Sequence, residues 1–356
     1  MIVHVLDNYY LAITFLISLG LQGALFIISF SLQTDKLTDL GEHFYAFWKT
    51  VGQSDVWLTL GGSANFFLLA IVTLTAGNTF YTRNIVASVL VLVWSARLGG
   101  FLFFRVLKTG KDGRFDEMRS KFFSFMGFWA FQLFWVWTVS LPLTILNSPN
   151  VSDPSLGGGN PAFGSSRDIV GIIMWAIGFA SEAISDQQKY MYKSSKPPKG
   201  AINDRGVWHF TRHPNFFGEI FLWWGMYILC LEPAVAHAIG SGARKAQYAS
   251  IVGPIFITLL LFFVSGLPLA EKPTAKKYYL MSHGQNPLPG DKWADYKAYL
   301  SRTSILFPIP PPLYRHLPGI MKRTVLLDFP MFKFDEHADG PAAVEEERRK
   351  SAAGGE

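Results

Sequence analysis

Within Asp204–Gly225, reading DRGVWHFTRHPNFFGEIFLWWG, four side chains of different chemistry fall close together: Arg212, His213, Asn215 and Glu219. Pro214 suits the first turn of a helix and pushes the residue before it out of helical geometry. A helix therefore starts at Pro214 or Asn215 and carries Phe216–Leu231 into hydrocarbon. Asn215 and Glu219, four apart, share one face of it. A carboxylate near the end of a membrane helix is costly unless it meets protein, water or a polar partner, which makes Glu219 a functional candidate. Arg212 and His213 flank the helix N-terminus, where free backbone N–H groups and the helix dipole favour a phosphate.

Two other stretches carry charge into apolar surroundings. SEAISDQQKYMYK sets Glu182, Asp186, Lys189 and Lys193 at spacings of three or four, near one helix face. Glu182 lies deep enough in the apolar run to need a partner, although acids and bases at a solvated helix end also satisfy one another. WSARLGGFLFFR places Arg97 well inside an apolar run, whereas Arg105, nearer its end, can snorkel to water. The loop after it, GKDGRFDEMRSK, adds Arg114 and Arg119. Read blandly, it is an ordinary basic loop. Taken together, Arg97, Arg114, Lys193, Arg205 and Arg212 could surround an anion of several charges, such as a dinucleotide pyrophosphate. No G-x-G-x-x-G follows a strand pattern, so a soluble Rossmann domain is excluded as the cofactor site.

Other chemistries find less support. Of eight histidines, only His209 and His213 stand four apart, and Pro214 argues against one continuous helix there; no metal site is expected. The single cysteine, Cys230, can form no intramolecular disulfide, and neither G-x-S-x-G nor a paired-cysteine pattern occurs.

The elements that must position these residues are membrane helices. Half the residues are hydrophobic (50%) and only 16% are charged, against about a quarter in soluble domains. Candidate spans are Tyr9–Leu32, Asn65–Ala76, Ile85–Leu107, Phe122–Leu146, Ile169–Ser185, Phe216–Leu231 and Ile251–Ala270, the second short and preceded by Gly61–Gly62. Lysine and arginine crowd the loops Lys108–Lys121 and Lys189–Arg212 and the tail Lys272–Arg302. The opposite side holds Arg83, Arg167, Arg244 and Lys245. That asymmetry implies an all-α polytopic protein of about seven spans, N-terminus out and C-terminus cytoplasmic. Its net charge of +6 then reflects cytoplasmic loops on a lipid bilayer, and no nucleic acid is expected. The chain divides into N-terminal helices (1–84), a membrane domain (85–312) and a cytoplasmic tail (313–356) that is partly disordered from Glu336.

SARLGGFLFFR with GKDGRFDEMR, then GFASEAISDQQKYMYK, GVWHFTRHPNFFGEIFLWWG and WADYKAYLSRTSILFPIPP, form an ordered set over about Ile85–Pro312. The set resembles the membrane superfamily of steroid 5α-reductases, sterol C14-reductases and isoprenylcysteine carboxyl methyltransferases. Within it the chain is most similar to the DUF1295 branch, uncharacterised proteins with a steroid-reductase-like C-terminal domain. The resemblance implies NADPH bound at cytoplasmic helix ends by Arg97, Asp186, Lys193, Asn215, Glu219 and Tyr296. It also brings departures. Trp94 stands where the steroid enzymes carry the tyrosine held to polarise the substrate carbonyl, and Lys193 replaces an arginine. Their glutamine–glutamate pair in the second helix has no clear match. EKPTAKKYYL is basic where the methyltransferases are acidic. Residues 41–60 interrupt the N-terminal resemblance and read as an insertion, an unspliced intron or an amphipathic surface helix, EHFYAFWKTV.

The expected function is NADPH-dependent reduction of an activated carbon–carbon double bond in a hydrophobic, sterol- or lipid-like small molecule, in the endoplasmic reticulum membrane. Trp94 and Glu182 are the substrate-side candidates. An S-adenosylmethionine-dependent methyltransferase is the alternative enzyme, and a non-catalytic protein that keeps the fold is the third reading. The charge asymmetry makes a direct prediction about topology. A reporter fused after Ser301 should lie in the cytoplasm and one inserted near Gly158 should not; finding both on one side would refute the orientation.

Overall fold

The computed structural model describes residues 7–31, 54–77, 80–109 and 121–353. Among them the fold is all-helical, with no strand and one isolated parallel bridge, Thr211 with Ser304. The main helices are α1 (Leu11–Ser31), α2 (Ser54–Gly77), α3 (Thr82–Thr109), α4 (Phe122–Val139), α5 (Ser166–Ser194), α6 (Pro214–Cys230), α7 (Ser241–Ala249), α8 (Val252–Phe263), α9 (Leu267–His283), α10 (Lys292–Arg302) and α11 (Gly340–Ala353). The described residues hold six stretches long and apolar enough to cross a membrane: Leu11–Phe30, Leu60–Gly77, Thr82–Lys108, Phe122–Val139, Ser166–Ser194 and one within Ser241–His283.

The distribution of polarity suits that medium. In α1, Thr14, Ser18 and Gln22 recur every four residues on the buried side, while Leu16, Leu19 and Ile27 are exposed. A helix in water would be arranged the other way round. Ser18 donates to Asn65 Oδ1 (3.2 Å) and Gln22 to the Gly61 carbonyl (3.2 Å), the polar contacts by which membrane helices associate. Val93 on α3, Phe134 on α4 and Ile177 on α5 likewise point outward. The chain is a multi-pass membrane protein.

The structure moves one boundary drawn from the sequence. The second span does not begin at Asn65; α2 runs unbroken through Gly61 and Gly62. A Cβ at Gly62 would come within 2.7 Å of the Trp135 ring, and one at Gly61 within 3.0 Å of Trp129, so these glycines admit α4 tryptophans rather than end the helix. The expected span Phe216–Leu231 is α6, whose 17 residues rise roughly 25 Å against a hydrocarbon thickness of about 30 Å. Leu222, Trp223, Met226, Leu229 and Cys230 are buried, so α6 is largely covered by protein. Of the stretch 41–60, residues 41–53 lie outside the described residues, and 54–60 form the first turns of α2.

The chain compacts into two units, one of residues up to Trp175 plus Trp223–Ile257, the other of Ala176–Leu222 and the residues from Thr258 on. In the first unit a fully buried fork fixes the start of α3: Arg83 Nε and Nη2 donate to the two Asp168 oxygens at 2.6 and 2.8 Å. Asp168 Oδ2 also accepts from the Gly164 and Ser165 N–H groups. Asn84 extends the network to Ser152 and Asn147, and Asn147 reaches Thr73 and Ser88. In the second unit, bare backbone brings α5 against α6. A Cβ on Gly218 would lie 2.5 Å from the Gly178 carbonyl and 2.7 Å from the Glu182 nitrogen. Gly218→Ala should therefore overpack the contact, cost about 1–3 kcal/mol and lower the melting temperature in detergent. Gly127→Ala, with open space around it, should not; equal melting curves for the two variants would contradict the close approach.

Candidate functional site

In the second unit the loop 204–213 is clasped from two sides. Along one face of α5, Ser181 donates to the Pro214 carbonyl (2.8 Å), the Ser185 carbonyl accepts from Trp208 Nε1 (3.2 Å), and Gln188 Oε1 accepts from the Val207 N–H (3.0 Å). Gly206 at φ 61° leaves room for the Gln188 amide, which a Cβ would meet at 2.3 Å. Lys189 lies over the Trp208 ring at 5.2 Å. From the other side, Tyr299 donates to the Trp208 carbonyl (3.1 Å), Arg212 N–H to Ser304 (2.8 Å), Thr211 Oγ1 to Leu306 (2.8 Å) and Ile309 N–H to Phe210 (3.2 Å). Asp204 is shared by His209 Nδ1 (3.0 Å) and Arg302.

This frame delivers Arg212 and His213 to a buried charge cluster. Arg212 pairs with Glu271 of α9 and, at 3.1 Å, with Asp328; all three are 6% exposed or less. His213 Nε2 lies 2.6 Å from Glu271 Oε1, and its ring stacks on Phe216 at 5.0 Å. Tyr314 donates to Asp328 Oδ2 (2.9 Å). Burial works against the Arg212 charge, but Glu271 and Asp328 outweigh it and raise the guanidinium above its ordinary value. Burial also pushes His213 below the usual imidazole value against the pull of Glu271, with Arg212 and Lys189 adding to the depression. One cation thus faces two carboxylates, beside a neutral imidazole.

The sequence-chosen residues divide between the units. Trp94 and Arg97 belong to the first. Trp94 is fully buried in an aromatic cluster with Phe66 and Trp223, both rings at 5.1 Å, and Arg97, half-buried, lies over the Phe101 ring. Arg114 lies outside the described residues. Glu182, Asp186, Lys193, Arg212, His213, Asn215, Glu219 and Tyr296 belong to the second. Glu182 is buried against Gly218; Asp186 is half-buried and Lys193 exposed further along α5. Asn215 and Glu219 occupy successive turns of α6, and Asn215 Oδ1 is buried with no hydrogen-bond partner. Tyr296 stacks flat on Tyr278 at 4.4 Å, and burial together with Glu271 raises its pKa.

Glu271, Asp328 and Tyr314 were not singled out from sequence. A signal existed: each acid stands alone beside an apolar run, in SGLPLAEK and VLLDFPMF, as Glu219 does. Arg212 Nε, Asp328 Oδ1, Thr303 Oγ1 and Ser304 Oγ are also buried without hydrogen-bond partners, at a cost of about 1–3 kcal/mol for each such group. Chemically, the cluster offers a carboxylate-held imidazole suited to proton transfer and acceptor groups on α6. Arg212 does not fit a phosphate-binding role, because both its carboxylate partners would have to be displaced.

Residues 13–284 match the model of a family described as a protein of unknown function, DUF1295, and the chain belongs to that family. The match takes in Glu271 and stops short of Tyr314 and Asp328. No curated protein and no solved structure matches the chain.

Proposed function

We propose that this member of the DUF1295 family is an NADPH-dependent reductase of an activated carbon–carbon double bond in a lipid- or sterol-like molecule, resident in the endoplasmic reticulum membrane. The observation that carries the reading is the unpartnered, buried Asn215 Oδ1, with Glu219 four residues on along the same helix. Two acceptors in that arrangement suit hydroxyl or amide donors of a nucleotide cofactor. Lys193 and Arg205, both exposed, supply positive charge for its phosphates. When bound, the cofactor furnishes hydride for the β-carbon of the alkene. The chain's own task is to hold the partners and exclude bulk water, while the neighbouring carbon takes up a proton. We assign that proton to water or another protein acid, because His213, neutral beside Glu271, has none to give.

A second reading has one observation in its favour. Glu271 and Asp328 leave the Arg212 cluster with an excess of negative charge, which favours the sulfonium of S-adenosylmethionine over a pyrophosphate. Thermal stabilisation of the purified protein separates the readings, since a ligand at about 100 times its Kd adds roughly 2.7 kcal/mol. NADPH should stabilise, and Asn215→Ala should weaken its binding about ten-fold while leaving the ligand-free melting temperature unchanged. Stabilisation by S-adenosylmethionine alone would replace the reductase with the methyltransferase. No response to either would favour a non-catalytic protein, in keeping with Trp94 at the carbonyl-polarising position.

A further inference from the structure

The C-terminal helix α11 lies on a basic strip of α9. Lys272, Lys276 and Lys277 follow directly on the apolar residues Leu267–Ala270, and Lys199 borders the same groove. Asp339, just before α11, pairs with Lys272 at 3.6 Å, and Glu346 pairs with Lys276. Glu347 accepts from the Gln285 N–H at 3.0 Å, and Gly340 is seated against the Tyr279 hydroxyl, where a Cβ would stand 2.6 Å away.

Little else secures the helix. Ala343 is its one buried apolar residue, while the Lys276–Glu346 pair is 31% and 48% exposed. Exposed pairs of this kind are weak and screened by salt. Their strength is of the same order as the attraction of a single lysine to an anionic membrane surface. Hydrogen bonds from Lys276 and Lys350 hold the Glu346 carboxyl down at about 2, so physiological pH cannot discharge it. A competing anion can displace it.

We propose that Lys272, Lys276 and Lys277 form a binding surface for anionic lipid headgroups, and that the carboxylates of Asp339, Glu346 and Glu347, at and just before α11, occupy it until such lipids compete. The commitment to a bilayer, rather than a soluble anion, rests on position: the lysines begin two residues beyond the apolar run Ile251–Ala270, within the stretch Ser241–His283 that holds a candidate span. Basic residues in that place read the surface charge of the adjoining leaflet. None of them belongs to the Arg212 cluster, so the proposal stands apart from the reductase reading.

Ser351→Cys supplies an exposed labelling site, since Cys230 is fully buried. A spin label there should be immobilised in phosphatidylcholine nanodiscs. Adding phosphatidylserine should raise its mobile fraction about five-fold or more. Glu346→Gln with Glu347→Gln should free the tail in both lipids. Replacing Lys272, Lys276 and Lys277 with glutamine should remove the dependence on phosphatidylserine. The proposal is overturned if mobility is the same in the two lipids, if the triple lysine variant still responds to phosphatidylserine, or if inorganic phosphate alone releases the tail in phosphatidylcholine.

Discussion

A guanidinium that cannot lose its proton is buried in the second unit, and two carboxylates from distant segments meet it there. Burying Arg212 without them would be prohibitive, and removing one partner of such a group typically costs about 3–5 kcal/mol. The loop 204–213 therefore depends on α9, which carries Glu271, and on the segment after Pro311, which carries Tyr314 and Asp328. That segment is also held by apolar contact. Phe332 packs with Phe262, Leu267, Ile305 and Leu306, and Leu327 and Phe329 pack around them. Leu327 accepts a φ of 59°, a conformation that non-glycine residues seldom adopt, directly before Asp328.

The same interaction decides what the site has left to offer a ligand. A cation neutralised twice is a structural group, and its neighbour His213 is held neutral by burial. In the proposed reading, recognition falls to Asn215, whose Oδ1 is unsatisfied, and Glu219 on α6, to Lys193 at the exposed end of α5, and to Arg205 in the loop after it. Gly218 brings these two helices close enough to share that work, because any side chain there would strike the backbone of Gly178 and Glu182.

Much of the membrane architecture was legible in the sequence, since long apolar runs and sparse charge leave few alternatives. Pro214 marked the first residue of α6 through its own stereochemistry. The misreadings have physical causes. Gly61–Gly62 left the start of the second span poorly marked in sequence, because those glycines make space for tryptophan rings of another helix. Lone acids beside apolar runs marked Glu271 and Asp328, but their pairing with Arg212 was invisible because contact across such separations leaves no periodicity; Glu271 is 59 residues away. Arg83 and Asp168, 85 residues apart, escaped for the same reason. Local spacing marks Arg212 and Glu219, but it reports helix faces and says nothing of tertiary neighbours.

The central claim is that Arg212, Glu271 and Asp328 act as one buried unit, and a mutant cycle in purified protein tests it most directly. Arg212→Met, which leaves two buried carboxylates without a cation, should lower unfolding stability by about 3–5 kcal/mol, whereas Glu271→Met and Asp328→Leu, each leaving a balanced pair that has lost hydrogen bonds, should cost about 1–3 kcal/mol. The triple variant, with the charges removed together, should be more stable than any of the three. Single variants that change stability by less than about 1 kcal/mol, as exposed pairs do, or a triple variant as damaged as the sum of its parts, would contradict the account.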